Sequence, residues 1–276
     1  MKCIEVRADS IKGSITHNSM HRSQIEKRTV HEDDFLAFGF FKERNCTFFD
    51  IGANIGNSAI SIHAVQPMWD VISFEPNISL YEYFEEVRIL FEKDGSKYTL
   101  HQVGLGSESG ELDFFIPYIE DWYVIGEASF DFSHFQHPVV RARLSRYSRD
   151  GKWTLHRTKL PVVRFDEFGP VQKFLQGLKS EDGLFVKIDV EGFESNVIEG
   201  MDFFLRTYRP HLMIENDPSD SIPELMLKKG YSTFAFSKSL NKLMRTDIRE
   251  NHLNLFYIHK FHLDQGYFDS FILHGV

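Results

Sequence analysis

The sequence predicts an α/β fold, a mostly parallel sheet flanked by helices. Strand-like and helix-like segments alternate along most of the chain, the pattern of parallel strands joined by helical crossovers. The first strand-like run ends in a glycine-bearing turn, Asp50-Ile51-Gly52-Ala53-Asn54-Ile55-Gly56. A later buried-type run, Leu184 to Val190, delivers Asp189 to its C-terminal end, the functional edge of an open parallel sheet.

In chain order, residues 1–30 are polar and weakly patterned, and are expected to be a mobile arm or an oligomer contact. His31 to Arg44 reads as a short amphipathic helix, so residues 1–46 form an arm and helix ahead of a domain at 47–276. Strands are expected at 47–51, 71–75 and 98–103, with helices at 57–66 and 78–92. The next pair is the strand at 184–190 and a helix from Glu194 to Tyr208. A strand from His211 to Glu215, a helix from Ile222 to Lys229, and strands at 231–236 and 253–259 complete seven core strands.

The alternation breaks between residues 107 and 165. Glu111 to Ile116 extends the sheet or begins an insertion. Val139 to Tyr147 alternates apolar with basic residues, and Asp150-Gly151 is a hairpin-turn signal ahead of Trp153 to Val163. Residues 117–163 are therefore expected to form an inserted lobe over the cleft, between the third and fourth core strands.

A chain of 276 residues can bury a sizeable core. Its 27 phenylalanines are an unusual supply of apolar volume. A net charge of −9 argues against general nucleic-acid binding. No apolar run approaches the roughly 20 residues a membrane span needs, and Met1 to Gly13 lacks the pattern of a signal peptide. Cys3 and Cys46 have neither metal-binding nor redox spacing, so a reducing, cytoplasmic setting is expected.

The first turn carries the clearest chemistry. Glycine there admits φ > 0 and lets a ligand approach the backbone, while the next helix start suits an anionic group. Nineteen residues beyond Gly56, Glu75 closes a second strand, where a ribose diol would be gripped. The turn lacks the G-x-G-x-x-G form of nicotinamide sites, with Asn54 in place of the close-approach glycine. Asp50, ahead of the turn, suits a cofactor bearing an ammonium group. Both departures favour S-adenosylmethionine over a nicotinamide dinucleotide. A nicotinamide-dependent oxidoreductase and a catalytically silent cofactor-binding interaction module remain the alternatives.

Asp50-Ile-Gly-Ala-Asn-Ile-Gly, Phe74-Glu75-Pro76-Asn77, Lys187-Ile-Asp-Val-Glu-Gly-Phe-Glu194, and Pro210 with Glu215 resemble the FkbM family of S-adenosylmethionine-dependent methyltransferases, over residues 47–217. Val103-Gly104-Leu105-Gly106 with Gly110 is also similar to that family. The resemblance implies a class I methyltransferase, Rossmann-like fold. It also implies O-methylation of a carbohydrate, glycolipid or glycosylated secondary metabolite. By position, Asp50, Gly52, Ala53, Asn54 and Gly56 would border the methionine half of the cofactor. Glu75 and Pro76 would hold the ribose, Gln102 and Val103 would flank the adenine, and Asp189 would close the site.

Methyl transfer to oxygen needs an aligned acceptor and a destination for its proton. Asp189 and Glu191 are the candidate catalytic acids. Asp189 with Glu215 and Asn216, at the ends of consecutive strands, could instead converge on a divalent cation such as Mg²⁺. His134 and His137 are further candidates for a base, and Tyr118, Trp122 and Tyr123 for stacking on a sugar ring. Arg141, Arg143, Arg146, Arg149, Lys152, Arg157 and Lys159 form a basic run, which predicts an anionic acceptor.

Overall fold

The computed structural model describes residues 2–11, 15–41, 45–179, 182–217, 220–247, 252–266 and 268–273. Its elements run β1 (Cys3–Glu5), α1 (Ile15–Lys27), β2 (Cys46–Ile51), α2 (Asn57–Val65), β3 (Asp70–Phe74), α3 (Tyr81–Asp94), β4 (Tyr98–His101) and β5 (Gly104–Leu105). Then come β6 (Gly110–Ile119), β7 (Trp122–Tyr123), α4 (Pro138–Tyr147), β8 (Thr154–Val163), α5 (Gly169–Gln176), β9 (Gly183–Ile188), α6 (Glu194–Gly200) and α7 (Asp202–Tyr208). The chain closes with β10 (His211–Glu215), α8 (Ile222–Lys228), β11 (Tyr231–Ser237), β12 (Lys242–Arg245), β13 (Asn254–His259), α9 (Lys260–Asp264) and β14 (Ile272–Leu273).

Among the described residues the main sheet has nine strands, in the order β14-β12-β11-β13-β10-β9-β2-β3-β4. The expected seven are all present, and β12 and β14 extend one edge. β4, β3, β2, β9 and β10 pair in parallel, whereas β13 lies antiparallel to both β10 and β11. The sheet is therefore mixed. Side chains alternate across it as the pleat requires. On β2, Phe48 joins one core layer and Phe49 the other, and Phe185 and Val186 of β9 divide in the same way. Phe38 sits at the centre of the first layer, with its ring against Phe35, Phe41, Phe48, Trp69, Phe185 and Phe256. Much of the unusual phenylalanine content is accounted for by these two layers.

A second sheet has the order β1-β8-β6-β7, with β5 also on β8. β6 pairs antiparallel to β8 from Gly110 to Tyr118, so the segment Glu111–Ile116 belongs here and not to the main sheet. This sheet opens at Gly104, earlier than residue 117, and takes in the N-terminal strand.

Four expectations change. Residues 3–5 pair with β8, and Gln24 of α1 donates to the Asn57 carbonyl and to Ser61 Oγ, both at 2.9 Å. The N-terminal segment is thus built into the body of the fold. Within His31 to Arg44, Asp33–Phe40 forms a 3-10 helix, and residues 42–44 lie outside the described residues. Val139 to Tyr147 belongs to α4, begun by Pro138 at its first turn, so Asp150-Gly151 links a helix to β8. The helix expected from Glu194 to Tyr208 is broken at Met201. Asp166, far away in sequence, accepts the backbone N–H groups of Phe203 (2.7 Å) and Phe204 (3.0 Å), capping α7 from outside.

Candidate functional site

β2, β3, β9 and β10 end together at one edge of the main sheet, and their C-terminal loops enclose a cavity of about 330 Å³. That volume falls at the small end of ligand pockets, which span roughly 300–1,000 Å³. The turn after β2 forms the floor. Gly52 has φ +82°, and a Cβ there would lie 1.8 Å from the Asp189 carbonyl oxygen. Only glycine lets the turn pass this close to the end of β9. Gly56 (φ +87°) starts α2, and its bare Cα admits Val87 of α3.

Glu75 is held by the same turn. Its Oε2 accepts the Asn54 backbone N–H and its Oε1 that of Asn77, both at 2.8 Å. The side chain is only 6% exposed. Burial raises its carboxyl to about 7, against the opposing pull of the two backbone donors. Asn54 is itself left-handed (φ +49°).

The sequence-derived residues divide. Gly52, Ala53, Asn54, Glu75, Pro76, Asp189, Glu191 and Glu215 line the cavity. Asp50 is buried beneath it, with Oδ2 accepting from Ser73 Oγ at 3.1 Å and Lys187 beside it in the β2–β9 register. Burial lifts its carboxyl to about 6, with Lys187 opposing. Gly56 serves the loop and helix packing. Gln102 and Val103 face a separate groove with Tyr81, Phe84 and Phe168. It is the next two residues, Gly104 and Leu105, that reach the cavity wall, because the chain turns from the main sheet into the second one there. Asn216 lines an adjacent cavity, and its amide donates to the His252 carbonyl at 2.8 Å.

Two walls were not anticipated. His31 and Glu32 form one, with His31 bonded to Ser61 and Glu32 accepting from Asn254 at 2.8 Å. Phe114, Ile125 and Phe130, from the second sheet and its connections, supply an apolar wall. Gly126 beside Asn54 was the available signal, but its partner is more than seventy residues distant.

At the far end, carboxyl oxygens of Asp189, Glu191 and Glu215 lie within 4.8 Å of one another. Burial alone would raise the carboxyl of Asp189, but the paired Lys187 ammonium, together with a hydrogen bond from Glu215 and the nearby His31, holds it below the ordinary range. Glu191 and Glu215 move well up, first from burial and then from the charge of Asp189. A charged carboxylate thus sits beside two acids that bind a proton more tightly than an ordinary glutamate.

Most of the basic run faces elsewhere. Arg143 pairs with Glu127, Arg149 with Glu120, Lys152 with Asp150, and Arg157 with Glu5 and Asp113. Arg141 and Lys152 line a groove that shares no residue with the main cavity. Four of the seven cations that suggested an anionic acceptor are therefore paired locally with acids. Tyr118 stacks on His156 and Tyr123 meets the same ring edge-on inside the second sheet, and Trp122 lies against Tyr147.

A family model described as "Methyltransferase FkbM domain" matches residues 50–233, which include every one of these strand ends. No curated protein matches the chain. Among solved structures, the chain is similar to methyltransferase FkbM from Methylobacillus flagellatus KT (14% identity, TM-score 0.45). That match covers 89% of this chain and 60% of the other. It is also similar to precorrin-6y C5,15-methyltransferase from Geobacter metallireducens GS-15 (14% identity, TM-score 0.34), over 92% of this chain and 95% of that one.

Proposed function

The chain belongs to the FkbM methyltransferase family, and on that footing we propose that it transfers a methyl group from S-adenosylmethionine to a hydroxyl of a carbohydrate, glycolipid or glycosylated secondary metabolite. The observation that carries this reading is the cavity running from Glu75 to Asp189, floored by a turn that a Cβ at Gly52 would close.

The residues present fit that cofactor. Glu75 has both oxygens oriented by backbone donors, which leaves their outer lone pairs to accept from a ribose diol. Phe114, Ile125 and Leu105 give an apolar slot for a base. Asp189 stays charged, which suits a cationic centre nearby. When bound, the cofactor supplies an electrophilic methyl group on sulfur. The protein's part is then to align the acceptor oxygen and to take its proton. Glu191 is the proposed proton acceptor, because burial and the charge of Asp189 push its carboxyl upward, toward the range a general base needs.

A divalent cation is the second reading, favoured by the grouped oxygens of Asp189, Glu191 and Glu215. Against it, Lys187 already occupies Asp189. A cytoplasmic setting completes the proposal, since Cys3 and Cys46 have neither metal-binding nor redox spacing. Among the described residues no helix is long and apolar enough to cross a membrane.

Calorimetry tests the donor. Micromolar binding of S-adenosylhomocysteine and none of NAD is expected, and the reverse would overturn the reading. Transfer of label from the methyl-labelled cofactor to extract glycans, with and without a chelator, then tests both chemistry and metal. Binding without any transfer would favour a silent interaction module.

A further inference from the structure

A second cavity, of about 600 Å³, abuts the first, and the two share Glu191 and Glu215 as a common wall. A molecule lying in it would meet the methyl-donor end of the cofactor cavity across those two side chains. The geometry points to this second cavity as the acceptor site, and to an acceptor that carries an ammonium group beside its hydroxyls, of the amino-sugar class. This inference rests on the methyltransferase reading and adds the acceptor's location and charge.

Three observations support it. The lining is acidic, with Asp131, Glu191, Glu194, Glu215, Asp217 and Asp220 in it. The nearby fixed cations are already engaged, Arg143 with Glu127 and Lys187 with Asp189. Independently, His134 lines the cavity with its side chain only 10% exposed. Its buried Nε2 has no hydrogen-bond partner, although it lies 3.5 Å from Glu127 Oε2 and 3.7 Å from Glu191 Oε2. An unbonded buried ring nitrogen costs stability unless something polar completes it.

A cationic ligand would answer both features. It would offset the burial and the Asp189 charge that oppose ionisation of Glu191 and Glu215, and its hydroxyl or amine would meet His134. A cavity of this volume suits an organic molecule better than a bare ion, which would fill little of it. An anionic sugar would face this acidic lining with Arg143, already held by Glu127, as the one arginine or lysine among its described residues.

The test uses the full chain saturated with S-adenosylhomocysteine, titrated with the methyl glycosides of glucosamine, glucose and glucuronate, followed by saturation-transfer NMR. Glucosamine is expected to bind at least about tenfold tighter than glucose, and glucuronate more weakly than either. His134→Gln and Glu215→Gln should each cut that preference severalfold, read as the ratio of two affinities in one protein. Equal binding of the three sugars, a preference for glucuronate, or a preference untouched by both substitutions would overturn the proposal. So would tight Mn²⁺ uptake that excludes the sugar. If S-adenosylhomocysteine itself fails to bind, the methyltransferase reading falls first. If it binds and the sugars are not distinguished, only the acceptor assignment fails.

Discussion

Replacing Glu75 with Gln should make the empty protein more stable at neutral pH while weakening its hold on the cofactor. The carboxyl is 6% exposed and titrates at about 7 in the folded chain, against an ordinary value of 4.5. Below about pH 4.5 the folded and unfolded chains both hold this proton, and from there to about pH 7 only the folded one does. Its contribution to stability therefore falls as pH rises through that window, and the full penalty is present above it. Each tenfold change in acidity is worth about 1.4 kcal/mol, so the penalty is roughly 3 kcal/mol.

The amide of the Glu75→Gln variant cannot charge. It keeps one acceptor, losing the bond to either Asn54 or Asn77, which the protonated acid also loses. The difference between variant and wild type should thus be small at pH 4.5 and grow to roughly 3 kcal/mol in the variant's favour by pH 8. Urea denaturation at several pH values measures it. S-adenosylhomocysteine affinity should move the other way, falling about 10- to 100-fold at pH 8 for a lost charged hydrogen bond worth roughly 1.5–3 kcal/mol. Wild-type binding should release a proton near pH 6, detectable as a buffer-dependent calorimetric enthalpy. A stability difference that is flat with pH, or unchanged cofactor affinity, would refute this account of Glu75.

Gly52→Ala should cost about 3 kcal/mol or more and abolish cofactor binding, because the new Cβ meets the Asp189 carbonyl and φ is +82°; thermal unfolding and calorimetry check it. Phe38→Ala should cost about 3–5 kcal/mol, since it empties the centre of one aromatic layer without touching the cavity, and urea unfolding reads the loss. Lys187, 1% exposed, is the cation that balances Asp189 and lies beside Asp50, so Lys187→Met should destabilise by about 3–5 kcal/mol at pH 8. The loss should be smaller near pH 5, where Asp50 can take up a proton; equal losses at both pH values would show that the pairing does not matter.

The parallel core and the glycine turn were legible in the residues because they depend on local pattern. Phe48-Phe49-Asp50 followed by two glycines reads as a strand and a turn whatever surrounds it, and Glu75 stands at the end of the next strand. The breaks from expectation arise where a distant group decides. Asp166 caps α7 and divides an otherwise continuous helical pattern, and β8 recruits residues 3–5 from a segment with little pattern of its own. Val139 to Tyr147 alternates like a strand, but Pro138 can start a helix, and Val140 and Leu144 lie one helical turn apart on its buried face.

The site divides along the same line. The sequence by itself determined which strands end in glycine or acid, because backbone conformation and strand burial are set within a few residues. Only the tertiary structure decided what those ends face. It put Asp50 under the floor beside Lys187, turned Gln102 and Val103 away from the cavity, and drew Glu127, His134 and Arg143 up to Glu191. It also paired most of the basic run with nearby acids, which removed the cue for an anionic acceptor. Charge balance and burial depend on neighbours brought together by chain topology, and those neighbours lie far apart along the chain.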